Sequence, residues 1–273
     1  MSTRRIIAAG FLICLLVLAG CSITTTSKSI VGKTLSAIYQ VNSFQMNTDF
    51  TDGTGDIWQG TKVVNISDKE MGMNVAIAMG PYITVSDEMY FMNGLEYSET
   101  ISEENSPQTI GWTKNALTND VWSSEIQVPF LTELLKTATK ISSLETERLN
   151  NVDYYVLTVT PSAKASADFV FSQGQPGGPA FYSPDVEGGY MITADLYYAG
   201  SIEFWINQDD YLPLKVEAEF GFKQAKNNLP VGTFTSQVIK NYHCELDFSD
   251  YNQSVSIQVP QDALNAPLDN TLQ

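Results

Sequence analysis

The sequence predicts a mainly β (α+β) protein, in which a curved antiparallel half-barrel sheet has a few helices on its concave face. Apolar and polar residues alternate over several long segments, as in strands with one buried and one solvated face. One segment carries apolar residues at helical spacing instead. No linker or fixed-period repeat divides the 273 residues, so a single domain over about 34–265 is expected, with 266–273 as a tail.

The N-terminus has the three parts of a secretion signal. Arg4 and Arg5 precede a short apolar stretch and then Leu18-Ala19-Gly20-Cys21, so residues 1–20 are expected to be removed. Small residues before a cysteine are typical of a lipobox, at which Cys21 would carry a diacylglycerol and palmitate-like chains. Ordinary cleavage with Cys21 as a spare thiol is the alternative. Residues 21–33 would form the lipidated tether.

The expected location is outside the cytoplasm, at the outer face of the cytoplasmic membrane or at an outer membrane facing the periplasm. The chain has 15 basic and 31 acidic residues, a net charge of −16. Such a surface repels phosphate backbones and anionic headgroups, which argues against nucleic acid as a partner. Once Cys14 leaves and Cys21 is lipidated, Cys244 has no disulfide partner within the chain.

The first half of the domain combines strands with two helices. A short amphipathic helix is expected at about 32–41, and a helix rich in leucine at 129–141, which begins with a proline and includes Leu134 and Leu135. Residues 82–87 and 89–96 are predicted as strands with turns at Asp87-Glu88 and Asn93-Gly94. The alternating strand before them places these residues on one side: Met73, Val75, Ile77 and Met79.

Alternation is clearest in the second half. Strands are predicted at 152–161, 202–206, 214–222, 238–248 and 254–259, with a long Gly/Pro-rich loop at 172–189. The apolar side of these strands carries the following candidates: Phe204, Val216, Ala218, Phe220, Phe222 and Tyr242.

The chain offers little material for catalysis. His243 and Cys244 are neighbours on a predicted strand, so their side chains point to opposite faces and cannot form a dyad. One histidine and one remaining cysteine do not make a zinc site. Acidic pairs such as Asp209-Asp210 leave calcium open, although none has a recognised loop spacing. The sequence therefore predicts no enzyme, no catalytic or metal-binding residue and no cofactor.

Methionines and aromatic residues are prominent in the predicted strands. Five methionines lie within about twenty residues of one another, from Met71 to Met92. Such side chains suit an adaptable wall for an acyl chain. The alternative is that they fill an ordinary core.

Four segments resemble the LolA/LppX-like bacterial lipoproteins, of the LppX/LprG type. They are residues 35–44, residues 144–157, the strand–turn–Leu-Pro–strand segment at 202–215, and the closing segment with Pro260-Gln261-Asp262-Ala263. The resemblance implies an antiparallel half-barrel with helices closing its concave side, lipid bound in the cavity, and no catalytic residue.

The leading hypothesis is a lipid-anchored protein that binds a lipid or another amphiphile for transport or sensing. The loop at 172–189 would act as a flap through Phe181 and Tyr182. The rival hypothesis is a structural or protein-interaction module of the envelope, with an unknown partner and a filled core. The predicted ligand wall comprises Met73, Val75, Ile77, Met79, Leu134, Leu135, Phe204, Val216, Ala218, Phe220, Phe222 and Tyr242.

Overall fold

A computed structural model describes residues 26–268, with gaps at 53–56, 80–82, 103–107, 127, 150, 163, 167, 170–196 and 224–238. The predicted signal, Cys21 and the loop with Phe181 and Tyr182 lie outside the described residues.

The described chain is built mainly from strands. Its helices are α1 (Ser27–Ile38), α2 (Asn119–Glu125), α3 (Val128–Lys136) and α4 (Gln261–Asn265). Its strands are β1 (Ser43–Asp52), β2 (Ile57–Asn65), β3 (Glu70–Met79), β4 (Ile83–Met92), β5 (Leu95–Ser102), β6 (Gln108–Ala116), β7 (Lys140–Leu149), β8 (Val152–Thr160), β9 (Tyr197–Asn207), β10 (Pro213–Lys223) and β11 (Ile239–Ser249). Residues 164–166 and 168–169 are also helical.

All of these strands belong to one antiparallel sheet, in the order β6-β5-β4-β3-β2-β1-β11-β10-β9-β8-β7. Each half is a meander in which consecutive strands pair. The halves join where β1 pairs with β11, from Gln45 opposite Ser249 to Asp52 opposite Tyr242. The sheet remains open, so the predicted mainly β half-barrel class is confirmed.

One face of this sheet holds the core and is called the helix-covered face. Side chains on opposite residues of paired strands share a face, so Phe44, Val64 and Met71 stand in one row across β1, β2 and β3. All three are 0% exposed. Helices α1, α2 and α3 add buried apolar residues to the same core, namely Ile30, Ile38, Trp122, Leu131, Leu134 and Leu135.

Helix α1 begins earlier than predicted. The Thr26 side chain caps it by accepting a hydrogen bond from the Ser29 backbone N–H at 3.2 Å. The predicted tether at 21–33 is therefore wrong beyond Thr26, because residues 27–33 are helical.

Helix α3 ends before the predicted residue 141. The Thr139 backbone N–H donates to the Thr160 carbonyl oxygen at 2.8 Å, so the chain already pairs with β8 there. Ile141 accordingly lies in β7, where it is exposed, and does not extend the apolar face of the helix.

The two predicted turns have different outcomes. Asn93 and Gly94 form a turn with positive φ values of 54° and 75°, as expected for a tight hairpin. The turn predicted at Asp87-Glu88 is wrong, since both residues pair with β3 in the middle of β4. The two successive acidic residues lie inside a strand that is paired on both sides.

The C-terminal segment lies on the other side of the sheet, called the open face. Residues 254–259 form no strand, contrary to prediction. A Cβ at Gly72 would lie 3.4 Å from Ile257 Cγ2, so this segment passes directly over β3. The Lys114 ammonium donates to the Leu264 carbonyl oxygen at 3.1 Å. Lys114 also forms an isolated parallel β-bridge with Leu268, which lies in the predicted tail.

The packing of the core predicts that two leucines contribute very differently to the free energy of unfolding. Leu157→Ala on β8 removes a side chain that is 0% exposed, and we expect the free energy of unfolding to fall by about 2–5 kcal/mol. Leu149→Ala on β7 is the matched control, because Leu149 is 51% exposed, and it should change that value by less than about 0.5 kcal/mol. Denaturant unfolding followed by tryptophan fluorescence measures both. Equal losses would contradict the assignment of the core.

Candidate functional site

Four methionines on the helix-covered face form what we call the methionine wall: Met46, Met71, Met73 and Met89. Met73 is opposite Met89 on β4 and opposite Lys62 on β2, which in turn is opposite Met46 on β1. Each of these methionines is at most 5% exposed. Because methionine is flexible and polarisable, such a surface can adapt to different apolar shapes.

The structure brings many of the predicted wall residues into this core. Val75 on β3 is only partly buried, whereas the following residues are buried: Met73, Ile77, Leu134, Leu135, Phe204, Val216, Ala218 and Phe220. Met79, Phe222 and Tyr242 belong to β3, β10 and β11, but their side chains lie outside the described part of the chain.

Short helices and single aromatic side chains cover the wall. On α2, the Trp122 ring lies 6.1 Å from the Phe91 ring of β4, measured between centroids. On the other half of the sheet, the Phe169 ring lies 5.4 Å from the Phe220 ring of β10. In the structure the wall is therefore covered, and a ligand could reach it only if this cover moved.

A buried ion pair lies beside the methionine wall. The Lys62 ammonium donates to the Glu125 backbone oxygen at 2.7 Å and to its carboxylate Oε2 at 3.2 Å. The two side chains are only 5% and 9% exposed. Burial lowers the pKa of Lys62, and the charge of Glu125 opposes that shift. This pair fastens the end of α2 to β2.

Sequence reasoning missed this pair, although a signal was present. Trp58, Gly60, Lys62 and Val64 alternate along β2, and Lys62 occupies a position on the apolar side. A lysine in such a pattern indicates a buried partner, because an unpaired buried ammonium is costly. The sequence does not identify Glu125, which is 63 residues away.

Beyond the wall, the same face becomes polar at β5 and β6. The Ser98 and Thr113 hydroxyl oxygens are 2.8 Å apart. Burial raises the pKa of Asp87 on β4 and of Glu96 on β5, with the charge of Glu125 adding to the shift at Glu96. The helix-covered face thus has an apolar part and a polar part.

The open face carries a polar groove of about 570 Å³ over the central strands, with Asp49, Glu245 and Asp247 among its lining residues. A second groove of about 260 Å³ lies beside it, between the sheet and the C-terminal segment at Ile257. Thr61 and Asn74 line both grooves. The first groove is lined mainly by polar residues, whereas the second has both polar residues and apolar residues such as Val63 and Ile257.

The predicted separation of His243 and Cys244 is confirmed. His243 Nδ1 lies 3.2 Å from Glu219 Oε1, whereas Cys244 is 1% exposed in the core. Burial raises the pKa of the Cys244 thiol, which disfavours the reactive thiolate. Within the described residues, no group of three or more His, Cys, Asp or Glu side chains could hold a metal ion. No helix in that part of the chain has the length and apolarity needed to cross a membrane.

Fold and site together define an open antiparallel half-barrel with an apolar face under short helices. No protein-family model and no curated protein matches the chain. Among solved structures, it is similar to LprF from Mycobacterium bovis, with 10% identity, a TM-score of 0.48, and coverage of 86% of this chain and 96% of that one. It is also similar to the Mycobacterium tuberculosis lipoprotein LppX, with 13% identity, a TM-score of 0.38, and coverage of 85% and 100%.

The buried ion pair predicts a specific pattern of stability. Glu125→Gln removes the carboxylate of the Lys62–Glu125 pair while Lys62 stays buried, and we expect a loss of about 3–5 kcal/mol in the free energy of unfolding. Adding Lys62→Met to that variant should recover most of the lost free energy of unfolding, because a methionine would then continue the row between Met46 and Met73. Denaturant unfolding of both variants checks this. A double variant as unstable as Glu125→Gln alone would contradict the expected effect.

Proposed function

We propose that this protein is a membrane-anchored, extracytoplasmic lipoprotein that binds a lipid or another amphiphile against the methionine wall. The observation that carries the proposal is the wall itself, in which four methionines stand on strands β1, β3 and β4 under a cover of short helices. An acyl chain needs an apolar surface with adaptable shape, and Met71, Met73 and Met89 supply one on β3 and β4, next to the Lys62–Glu125 pair.

The construction of the cover supports entry of a ligand. Helices α2 and α3 have 7 and 9 residues, and helices shorter than about 12 residues are marginal on their own in water. Their position depends on packing by side chains such as Trp122 and Leu134 and on the Lys62–Glu125 pair. Displacing these helices would expose the wall while leaving the hydrogen-bonded sheet intact.

The proposed anchor would hold the domain close to a bilayer. Thr26, the cap of α1, follows Cys21 by five residues. A fully extended chain spans at most about 3.6 Å per residue, so five residues reach roughly 18 Å. A lipid on Cys21 would therefore keep the start of α1 within about that distance of the headgroups, which favours exchange of an amphiphile with the membrane.

The open face favours a second function, as a protein-interaction module. Asp49, Glu245, Glu217 and Glu203 stand opposite one another in a row across β1, β11, β10 and β9. Like charges placed opposite each other destabilise a sheet, and the ammonium of Lys215 offsets part of this repulsion by pairing with Glu217 and Glu245, at 3.4 and 3.0 Å. This acidic row is suited to a basic partner.

Two tryptophan substitutions on one strand test ligand binding. Val75→Trp adds bulk on the helix-covered face, at a partly buried position beside the methionine wall, and we expect uptake of a fluorescent, uncharged C16 glycerol ether to fall at least about tenfold. Ala76→Trp is the matched control, because Ala76 is exposed on the open face, and its uptake should equal that of the unchanged chain.

Extraction of the purified protein with organic solvent, followed by mass spectrometry, provides a second measurement. The unchanged chain should release an acyl-containing amphiphile. A protein that repeatedly releases none and does not take up the fluorescent C16 glycerol ether would refute amphiphile binding, and the interaction module would then be the better account.

The anchor is tested separately at Cys21. Cys21→Ser removes the thiol that would be acylated, so we expect complete loss of metabolic labelling with a clickable palmitate analogue. Cys244→Ser is the matched control and should keep the label, because Cys244 is buried in the folded domain. Labelling that persists in Cys21→Ser would contradict lipidation at this residue.

A further inference from the structure

The methionine wall is continued by polar side chains on β5 and β6. Met89 of β4 is opposite Ser98 of β5, which is opposite Thr113 of β6. One row further along, Phe91 is opposite Glu96, which is opposite Asn115. We call the polar part of this face the polar strip; it consists of Asp87, Glu96, Ser98, Thr100, Thr113 and Asn115. An apolar surface that meets a polar one along a single line has the polarity pattern of an amphiphile.

Among the described residues, none donates a hydrogen bond to two oxygen atoms of the polar strip. Oδ1 of Asp87 and Oδ1 of Asn115 are buried, and no donor within the described residues reaches them. By contrast, the Ser98 and Thr113 hydroxyls satisfy each other, and Thr100 bonds the Asp87 carboxyl group. A buried acceptor without a donor costs free energy, which a ligand N–H or O–H group would recover.

The charges around the polar strip select against an anion. Asp87 and Glu96 belong to the strip, and Glu125 acts on Glu96 electrostatically. The nearby ammonium of Lys62 already donates to both the carboxylate and the backbone oxygen of Glu125. A phosphate or carboxylate headgroup placed here would meet carboxylates, and like charges in a partly buried site repel strongly.

We infer that the polar strip holds a headgroup that is rich in N–H or O–H donors and carries no negative charge, such as a polyol or an ammonium group. The acyl chain of the same molecule lies on the methionine wall. This inference rests on the proposed function and specifies the class of amphiphile.

The test uses the whole chain in phosphatidylcholine nanodiscs and a photoreactive, clickable hexadecyl glycerol ether as the probe. Competitors with the same chain length are hexadecylglycerol, hexadecylamine and hexadecanoate, and the measured quantity is the competitor concentration that halves photolabelling. For the unchanged chain, we expect the hexadecanoate concentration that halves photolabelling to be at least about tenfold higher than that of hexadecylglycerol or hexadecylamine.

Substitutions in the polar strip distinguish its headgroup selectivity from differences in how the three competitors partition into the membrane. Asp87→Asn with Glu96→Gln keeps the side-chain shapes but removes two negative charges, so the gap between hexadecanoate and hexadecylglycerol should shrink to about threefold or less. Glu88→Gln is the matched control: Glu88 follows Asp87 on β4 but pairs with Glu99 on the open face, and the gap should remain. If the double variant is unstable, Glu96→Gln alone replaces it in the test. This single variant should partly reduce the concentration gap between hexadecanoate and hexadecylglycerol.

The outcomes distinguish this inference from the proposed function. Labelling that all three competitors reduce equally would leave amphiphile binding in place and overturn the headgroup selectivity. A gap that persists unchanged in the charge-removing variants would also overturn it. If the probe does not label the unchanged chain at all, amphiphile binding itself is refuted and the inference falls with it.

Discussion

The pairing of β1 with β11 is the constraint on which the rest of the structure depends. It joins two meanders into one open sheet, so that Phe50 of the first half lies opposite Cys244 of the last strand. Without this pairing each half would expose an apolar face too large for its own short helices to cover. Because the joined strands are far apart in sequence, their contact is costly in loop entropy and must be offset by the buried core around Phe44 and Phe248.

The sequence predicted those parts of the fold that depend on local periodicity. The strict alternation from Val216 to Phe220 predicts which side of that strand is buried, and the helical spacing around Leu134 does the same for the helix. The structure confirms both predictions. Boundaries depend on contacts that are distant in sequence. Helix α3 ends because Thr139 pairs with Thr160, and Asp87 stays within a strand because β3 and β5 flank it. No local pattern contains that information.

The site was only partly predictable for the same reason. Methionines at alternate positions around Met73 are visible in the sequence, and so is Lys62 on the apolar side of its strand. The partner of Lys62 and the meeting of wall and polar strip arise only from strand register. The larger open-face groove likewise combines residues of β1, β2, β3 and β11, which no motif connects.

The buried ion pair gives the cover a property that an apolar contact would lack. Lys62 and Glu125 lose hydration when α2 closes over the wall, and their attraction offsets that loss without a large net gain. On opening, both charged groups regain water, so the pair itself opposes opening only weakly. A leucine pair at the same place would expose apolar surface on opening and oppose it strongly. The proposed opening of the cover would therefore be opposed mainly by buried apolar side chains such as Trp122 and Leu134, and only weakly by the ion pair.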